Sequence, residues 1–237
     1  MAACDSGRPV IPVFIHDEVI ESHGAAPKWR LGLGVAKLAK ALEEKGSRLI
    51  LRRGRALDVL RALVKETGAD AVYWSRLYDP AAKKRDTGVK SALKEDGIDA
   101  QSFKGHLLFE PWTVETKTGG YYKVYTPMWR MVKDRDVPSD LPAPGRIPAP
   151  DTWPASDALE AWQMGAAMHR GAEIVLPHTT VGEAAASSRL GNFIANWVAH
   201  YNTNRDIPSI KGTSGLSENL TYGEISPRRC WHAGMRA

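Results

Sequence analysis

The residues best suited to chemistry lie late in the chain, in IPSIKGTSGLSENLTYGEISPRR, Ile207 to Arg229. Thr213, Ser214 and Ser217 bring three hydroxyls just before and at the start of a helical run, LSENLTYG, with Gly215 and Leu216 between them. Gly223 can close that helix in a left-handed cap. Ser226 reads as the N-cap of a second helix with Pro227 at its first position. A helix start offers free backbone N–H groups and the positive end of a dipole, and hydroxyls add donors, so the stretch can seat a phosphate. The same residue types serve plain capping, and on these residues alone the two readings stand level. Arg205, Lys211, Arg228 and Arg229 add positive charge nearby and tilt the reading towards an anion.

Other candidates weigh less. LGLG (Leu31–Gly34) contains G-x-G, but a dinucleotide fingerprint needs a third Gly and a strand-to-helix turn. Here the glycines fall inside a helical pattern, which favours close packing. GTSG (Gly212–Gly215) does not meet the G-x-S-x-G pattern of a hydrolase elbow. His16, Asp17 and Glu18 follow a strand end, where open α/β sheets bind ligands, yet a solvated loop is the better reading. The histidines are scattered without metal-ligand spacing, so no metal is expected. No residue is singled out as catalytic, and the tryptophans read as packing residues.

The elements that must position these groups alternate in the first half. RPVIPVFIHD, SRLILRRG, DAVYWS and IDAQSF read as strands. PKWRLGLGVAKLAKALEEKG, RALDVLRALVKETG and PAAKKRDTGVKSALKEDG read as the helices between them. This spacing implies βαβ units: an α/β, Rossmann-like parallel sheet with helices on both faces. The chain opens on a strand after what looks like a helix tail, so the doubly wound pattern has one strand missing at its start. Prolines crowd DVPSDLPAPGRIPAPDTWPASD, a connector or surface loop. Beyond it, Thr180 and Glu183 stand in capping-box spacing. Leu190, Phe193, Ile194, Trp197, Val198 and Tyr201 then mark one helical stripe.

The bulk numbers fit this frame. With 237 residues, 43% of them hydrophobic, the chain can bury one large core or two small ones. The formal net charge of +5 permits a polyanionic partner without requiring one. Two cysteines at opposite ends make no disulfide framework. No apolar run nears the roughly 20 residues of a membrane span and no signal peptide is apparent, so a cytoplasmic protein without a membrane partner is expected.

YNTNRDIPSIKGTSGLSENLTYGEISPRR resembles the signature of the DNA photolyase/cryptochrome family: a Tyr, Arg-Asp-x-Pro, Gly-Thr-Ser-x-Leu-Ser, then Gly-x-(Ile/Leu)-Ser-Pro-Arg. GGYYKVYTPMWR resembles that family's Lys-Val-(Tyr/Phe)-Thr-Pro segment, and the resemblance runs over essentially the whole chain. It implies an α/β antenna-type domain over residues 1–115, a connector over 116–179 and the beginning of an all-α FAD-binding domain over 180–237. It implies FAD as cofactor, with Tyr201, Thr213, Ser214, Gly215, Leu216 and Ser217 at flavin-binding positions and Arg205 against the DNA backbone. The implied partner is damaged DNA, and the implied chemistry is light-driven splitting of pyrimidine dimers flipped from the duplex. A monomer is expected. The alternatives are a cryptochrome-like photoreceptor and a nucleotide-binding module without photochemistry.

The departures from the pattern are specific. The family's opening Trp-Phe-Arg-Arg-Asp-Leu-Arg strand has no counterpart here, and the family continues well beyond the Ser-Pro-Arg helix. The chain is therefore expected to be a fragment that does not repair DNA alone. Gly215 stands where photolyases often carry Arg. In DPAAKKRD an Ala stands at an acidic folate contact, which leaves the antenna chromophore, of folate, deazaflavin or flavin type, undecided.

Overall fold

The computed structural model describes residues 1–237. A short α1 (Ala2–Asp5) precedes β1 (Val13–His16), and a one-turn α2 (Glu18–Glu21) leads into α3 (Ala25–Glu43) and β2 (Ile50–Arg53). Then come α4 (Ala56–Thr67), β3 (Ala71–Ser75), α5 (Pro80–Glu95) and β4 (Asp99–Phe103). The local chemistry sets these ends. Gly68 closes α4 at φ 69° with its N–H on the Val64 carbonyl, and Asp79 caps α5 by accepting from the Ala82 N–H, ahead of Pro80. The rest is helical: α6 (Tyr125–Val132), α7 (Gly171–Val175), α8 (Glu183–Asn196), α9 (Tyr201–Asn204), α10 (Ser217–Thr221) and α11 (Pro227–Met235).

The chain forms two compact units that interleave in sequence. One takes Met1–Phe103 with Leu141–Ala186, the other Lys104–Asp140 with Ser187–Ala237. The expected segments at 1–115, 116–179 and 180–237 are consecutive; the contacts instead return the chain to the first unit after residue 140. The reason lies in the Pro-rich stretch, which is laid along that unit. The Val10 N–H donates to the Pro148 carbonyl (2.7 Å), and the Asp157 N–H donates to the Leu51 carbonyl (2.9 Å).

The first unit is α/β with parallel pairing and helices on both faces. β1 pairs with β2 from Val13↔Ile50 to His16↔Arg53, and β3 with β4 from Ala71↔Asp99 to Ser75↔Phe103. These are two separate two-stranded sheets. Val35 of α3 packs with Phe14, Leu49 and Leu51, together with Trp162 and Met164. Leu57 and Leu60 of α4 and Val89 and Leu93 of α5 pack on Val72, Trp74 and Ala100. LGLG lies within α3, where a Cβ on Gly32 would sit 3.2 Å from the Met164 Cβ. Close packing is thus its role, although the neighbour is the 159–168 segment and not a strand.

Two local readings need correction. α8 starts at Glu183, with the Ala186 N–H on the Gly182 carbonyl (3.0 Å), so Thr180 lies too far upstream to stand at the N-cap. Gly182, at φ 98°, sets the start instead. The stripe from Leu190 to Tyr201 is not one helix: α8 ends at Asn196, and a 3-10 turn (Val198–His200) separates it from α9. β-branched and aromatic residues at the break lower helix propensity there.

Candidate functional site

The Gly-Thr-Ser loop belongs to the second unit and is held by three devices. Gly212 lies against α9: a Cβ there would come within 2.5 Å of the Asn204 carbonyl oxygen, so only glycine fits. Gly215 takes φ +61°, and its carbonyl accepts from Arg189 Nη1 of α8 at 3.3 Å. Asn219 of α10 is fully buried and joins two neighbours. Its Oδ1 accepts from Arg189 Nη1, and its Nδ2 donates to Glu224 Oε2 at 2.7 Å. The Asn219 carbonyl accepts from the Glu224 N–H at 2.9 Å, which closes the C-terminal end of α10. A buried amide whose polar atoms are engaged on both sides fixes one arrangement of the loop.

This framework presents the residues singled out from the sequence. Leu216 is buried at 4% exposure and anchors the loop, while Thr213, Gly215 and Ser217 are exposed and Ser214 is half-buried. Ser214 Oγ accepts a long bond from the Leu216 N–H (3.4 Å). Leu216 stands at the N-cap of α10 with no side chain capping the helix. By contrast, Ser226 caps α11 by accepting from the Arg229 N–H, with Pro227 at the first position. Of two neighbouring helix starts, one is closed by a side chain, and the other has no capping side chain at Leu216 but the hydroxyls of Thr213, Ser214 and Ser217 close by in sequence. Gly223 follows α10 at φ +69°.

Tyr201 and Arg205 flank the loop because α9 runs from the first and is closed by the second, and Gly212 packs on Asn204 between them. Tyr201 meets Phe193 edge-on at 5.8 Å, and the Arg205 guanidinium lies 5.8 Å from the Tyr201 ring centroid. Arg205 also lies 3.5 Å from Asp206. A separate cavity of about 290 Å³ lies between α8 and α11, lined by Ser187, Leu190, Gly191, Ile194, Arg229, Ala233 and Arg236. None of the loop residues lines it. Burial pushes the Cys230 thiol up, which keeps it protonated and a poor nucleophile at neutral pH.

The sequence reading missed Arg189, Asn219 and Glu224, whose signal is spatial. An Asn two places after a Ser in a helix start is unremarkable until burial shows what it joins. It also misjudged His16 and Asp17, read as a solvated loop. Both are buried at 3% exposure. Asp17 caps α2 by accepting from the Val19 and Ile20 N–H groups (3.1 Å each) and pairs with Arg85 at 2.6 Å. His16 stacks on Trp162 at 5.2 Å, with Nε2 3.5 Å from Glu21 Oε2. Burial pushes the His16 pKa down, against the opposing pull of Glu21.

The DNA photolyase family model matches residues 1–146. The chain belongs to the DNA photolyase family. It is 41% identical over 236 residues to a deoxyribodipyrimidine photo-lyase of Agrobacterium fabrum, covering 98% of this chain and 49% of that protein. It is 29% identical over 237 residues to cryptochrome-1 of Arabidopsis thaliana, covering 98% of this chain and 35% of that protein. The crystal structure of a bacterial class III photolyase from Agrobacterium tumefaciens superposes with a TM-score of 0.92 at 40% identity, covering 98% of this chain and 48% of that one. The chain thus spans less than half of the length of each of these three relatives. No helix is long and apolar enough to cross a membrane.

Proposed function

We propose that the chain is part of a DNA repair photolyase, an FAD-dependent lyase that uses light to split pyrimidine dimers, and that residues 212–217 hold the diphosphate of the FAD. The observation that carries the assignment is the uncapped start of α10, with Thr213, Ser214 and Ser217 beside it and Gly215 keeping the approach free of a side chain. These groups fit a diphosphate: hydroxyls and backbone N–H groups donate, and the helix dipole favours negative charge. FAD, when bound, supplies light-driven one-electron chemistry at the dimer.

The chain's own residues bind and orient. Thr213, Ser214 and Ser217 donate to phosphate oxygens, and the buried Leu216 keeps them in register. Arg189 and Asn219 hold the loop in the shape that aims them. Tyr201, half-exposed beside Phe193, offers a flat apolar wall to the cofactor. Arg205 supplies charge for a DNA phosphate, which positions the duplex without reading its sequence. The protein acts on damaged DNA as a cytoplasmic monomer. Repair belongs to the full family length, of which this chain spans about half.

The test extends the chain with the second half of the Agrobacterium fabrum relative and compares it with the same protein carrying Thr213→Ala and Ser214→Ala. The expected result is a loss of about tenfold or more in FAD affinity with the fold intact, the scale of one to two charge-assisted hydrogen bonds. Unchanged flavin content overturns the phosphate seat. The likeness to an Arabidopsis cryptochrome supports a second reading, a flavin photoreceptor. Tight binding of dimer-containing DNA by the extended protein, with dimers lost under blue light and kept in the dark, decides against it.

A further inference from the structure

His16 ends β1 at 3% exposure, and neither of its ring nitrogens has a hydrogen-bond partner. An imidazole buried in this way is tolerated neutral and becomes costly once charged. Its ring stacks on Trp162, with 5.2 Å between centroids and 21° between planes. Trp162 is itself buried among Phe14, Val35, Leu49, Leu51 and Met164. The charged groups facing His16 come from the elements around it. Glu21 of α2 lies 3.5 Å from Nε2, but it also meets Arg53 of β2 at 3.3 Å and Lys28 of α3 at 3.8 Å. Asp17, the next residue, caps α2 and pairs with Arg85 of α5 at 2.6 Å. Both carboxylates are thus already engaged by cations, and Arg53 and Lys28 repel a proton on the ring. Burial is the largest influence and holds the His16 pKa below its ordinary value, against the pull of Glu21 and Asp17.

The segment that carries Trp162 is docked on the outer edge of β2 by a short chain of bonds. The Trp162 Nε1–H donates to Asp157 Oδ2 (3.2 Å), the Asp157 N–H to the Leu51 carbonyl (2.9 Å), and the Leu51 N–H to Ser156 Oγ (2.9 Å). Its backbone is held against preference. Gln163 and His169 take φ of 46° and 47°, a region that residues other than glycine rarely adopt. Such a shape persists only where surrounding contacts impose it, and the stack of His16 on Trp162 is one of those contacts.

We propose that His16 is a proton-operated latch on the 156–168 segment. Neutral, it stacks on Trp162 and keeps the segment on β1 and β2. Protonated, it must reach water, and leaving its site breaks the stack. The segment then comes away from the edge of β2, while the cluster of Val89, Leu93 and Ala100, which includes neither ring, stays folded. The sign follows from linkage. Release returns His16 to its ordinary pKa of about 6.5, so docking is complete above that value. Below it the docking equilibrium falls by up to about tenfold per pH unit, until the pKa of the docked state is passed.

The test is hydrogen exchange read by NMR on the 237-residue chain at about pH 7 and about pH 5, each rate divided by its intrinsic value at that pH. Protection of the Trp162 indole N–H and the Asp157 amide is expected to fall by about fivefold or more in acid. The Ile98 amide, on the Leu93 carbonyl, is expected to keep its protection. The His16 ring resonances should titrate with the midpoint of the Trp162 change. In His16→Phe, which keeps a ring for Trp162 and takes no proton, protection in acid should stay at its neutral value. A loss that persists in His16→Phe overturns the proposal and assigns the response to another group, the Asp157 carboxylate first. Unchanged Trp162 protection while His16 titrates overturns it too, because the imidazolium then stays on the indole face as a cation–π pair. An equal loss at Ile98 means that acid unfolds the whole unit, and there is no latch. Should His16→Phe fail to fold, the midpoints in the unaltered chain decide: a His16 midpoint apart from that of Trp162 overturns the proposal.

Discussion

The α/β unit buries two apolar clusters, Val35, Leu49 and Leu51 with Trp162 and Met164, and Val89 and Leu93 with Ala100, and its order follows from side chains removed from water. The helical unit buries far less, chiefly Val132, Val137, Leu190, Leu216 and Ile225, and places a polar Asn219 at zero exposure among them. It leaves Trp112, Tyr121, Val124, Tyr125, Ile207 and Ile210 exposed. The lesson is a division of labour. A hydrophobic core tolerates changes that keep volume, while a loop fixed by one glycine contact and one buried amide depends on single atoms.

The largest expected effect is Gly212→Val. The new Cβ would lie 2.5 Å from the Asn204 carbonyl oxygen and 2.7 Å from its carbonyl carbon, backbone atoms that cannot swing aside as the end of a flexible side chain would. A cost of about 3 kcal/mol is expected, the upper range for overpacking, and urea denaturation followed by the helical unit's tryptophans measures it. A cost like that of Gly88→Val, where a Cβ meets open space, would remove glycine's special place in the loop.

Asn219→Leu comes next. It removes the bonds to Arg189 and Glu224 at a buried site, for an expected loss of about 2 kcal/mol. Volume is nearly kept, so a small loss would mean the helical unit is organised by packing after all. Leu63→Ala makes the matching change in the α/β unit, with about 3 kcal/mol expected from cavity formation. If Asn219→Leu disturbs the amide shifts of residues 212–217 and Leu63→Ala does not, the comparison between units holds.

The smallest effect is the pH response of the α/β unit. The His16 pKa is lowered by burial, so the unfolded chain binds more protons than the folded one below about pH 6.5. Stability is then full at neutral pH and falls as pH drops through the unfolded value towards the folded one. His16→Phe, which keeps a ring against Trp162, should flatten that fall in thermal melts between pH 7 and pH 5. An unchanged slope would place the acid sensitivity elsewhere.

The same contrast explains what could be read from the chain. Strands and helices of the α/β unit were legible because Ile50–Leu51, Val72–Trp74 and the stripe of α3 repeat at the periods of their elements. The loop was legible as residue types, Thr213 to Ser217, and as a family signature. Its support was not, because Arg189, Asn219 and Glu224 are brought together by folding and carry no spacing of their own. Nor was the return of the Pro-rich stretch, since prolines exclude helix and strand without saying which surface they follow. His16 and Asp17 were misjudged for a related reason: their burial is conferred by Trp162 and Arg85, far away in sequence.

The most direct test of the central claim, that residues 212–217 seat the FAD diphosphate, is the amide spectrum of the 237-residue chain titrated with FAD. The account predicts that the largest shifts fall on Thr213 to Ser217, with Tyr201 following and the amides at the capped start of α11 moving less. Shifts centred on the α/β unit, or a spectrum unchanged at millimolar FAD, would contradict it.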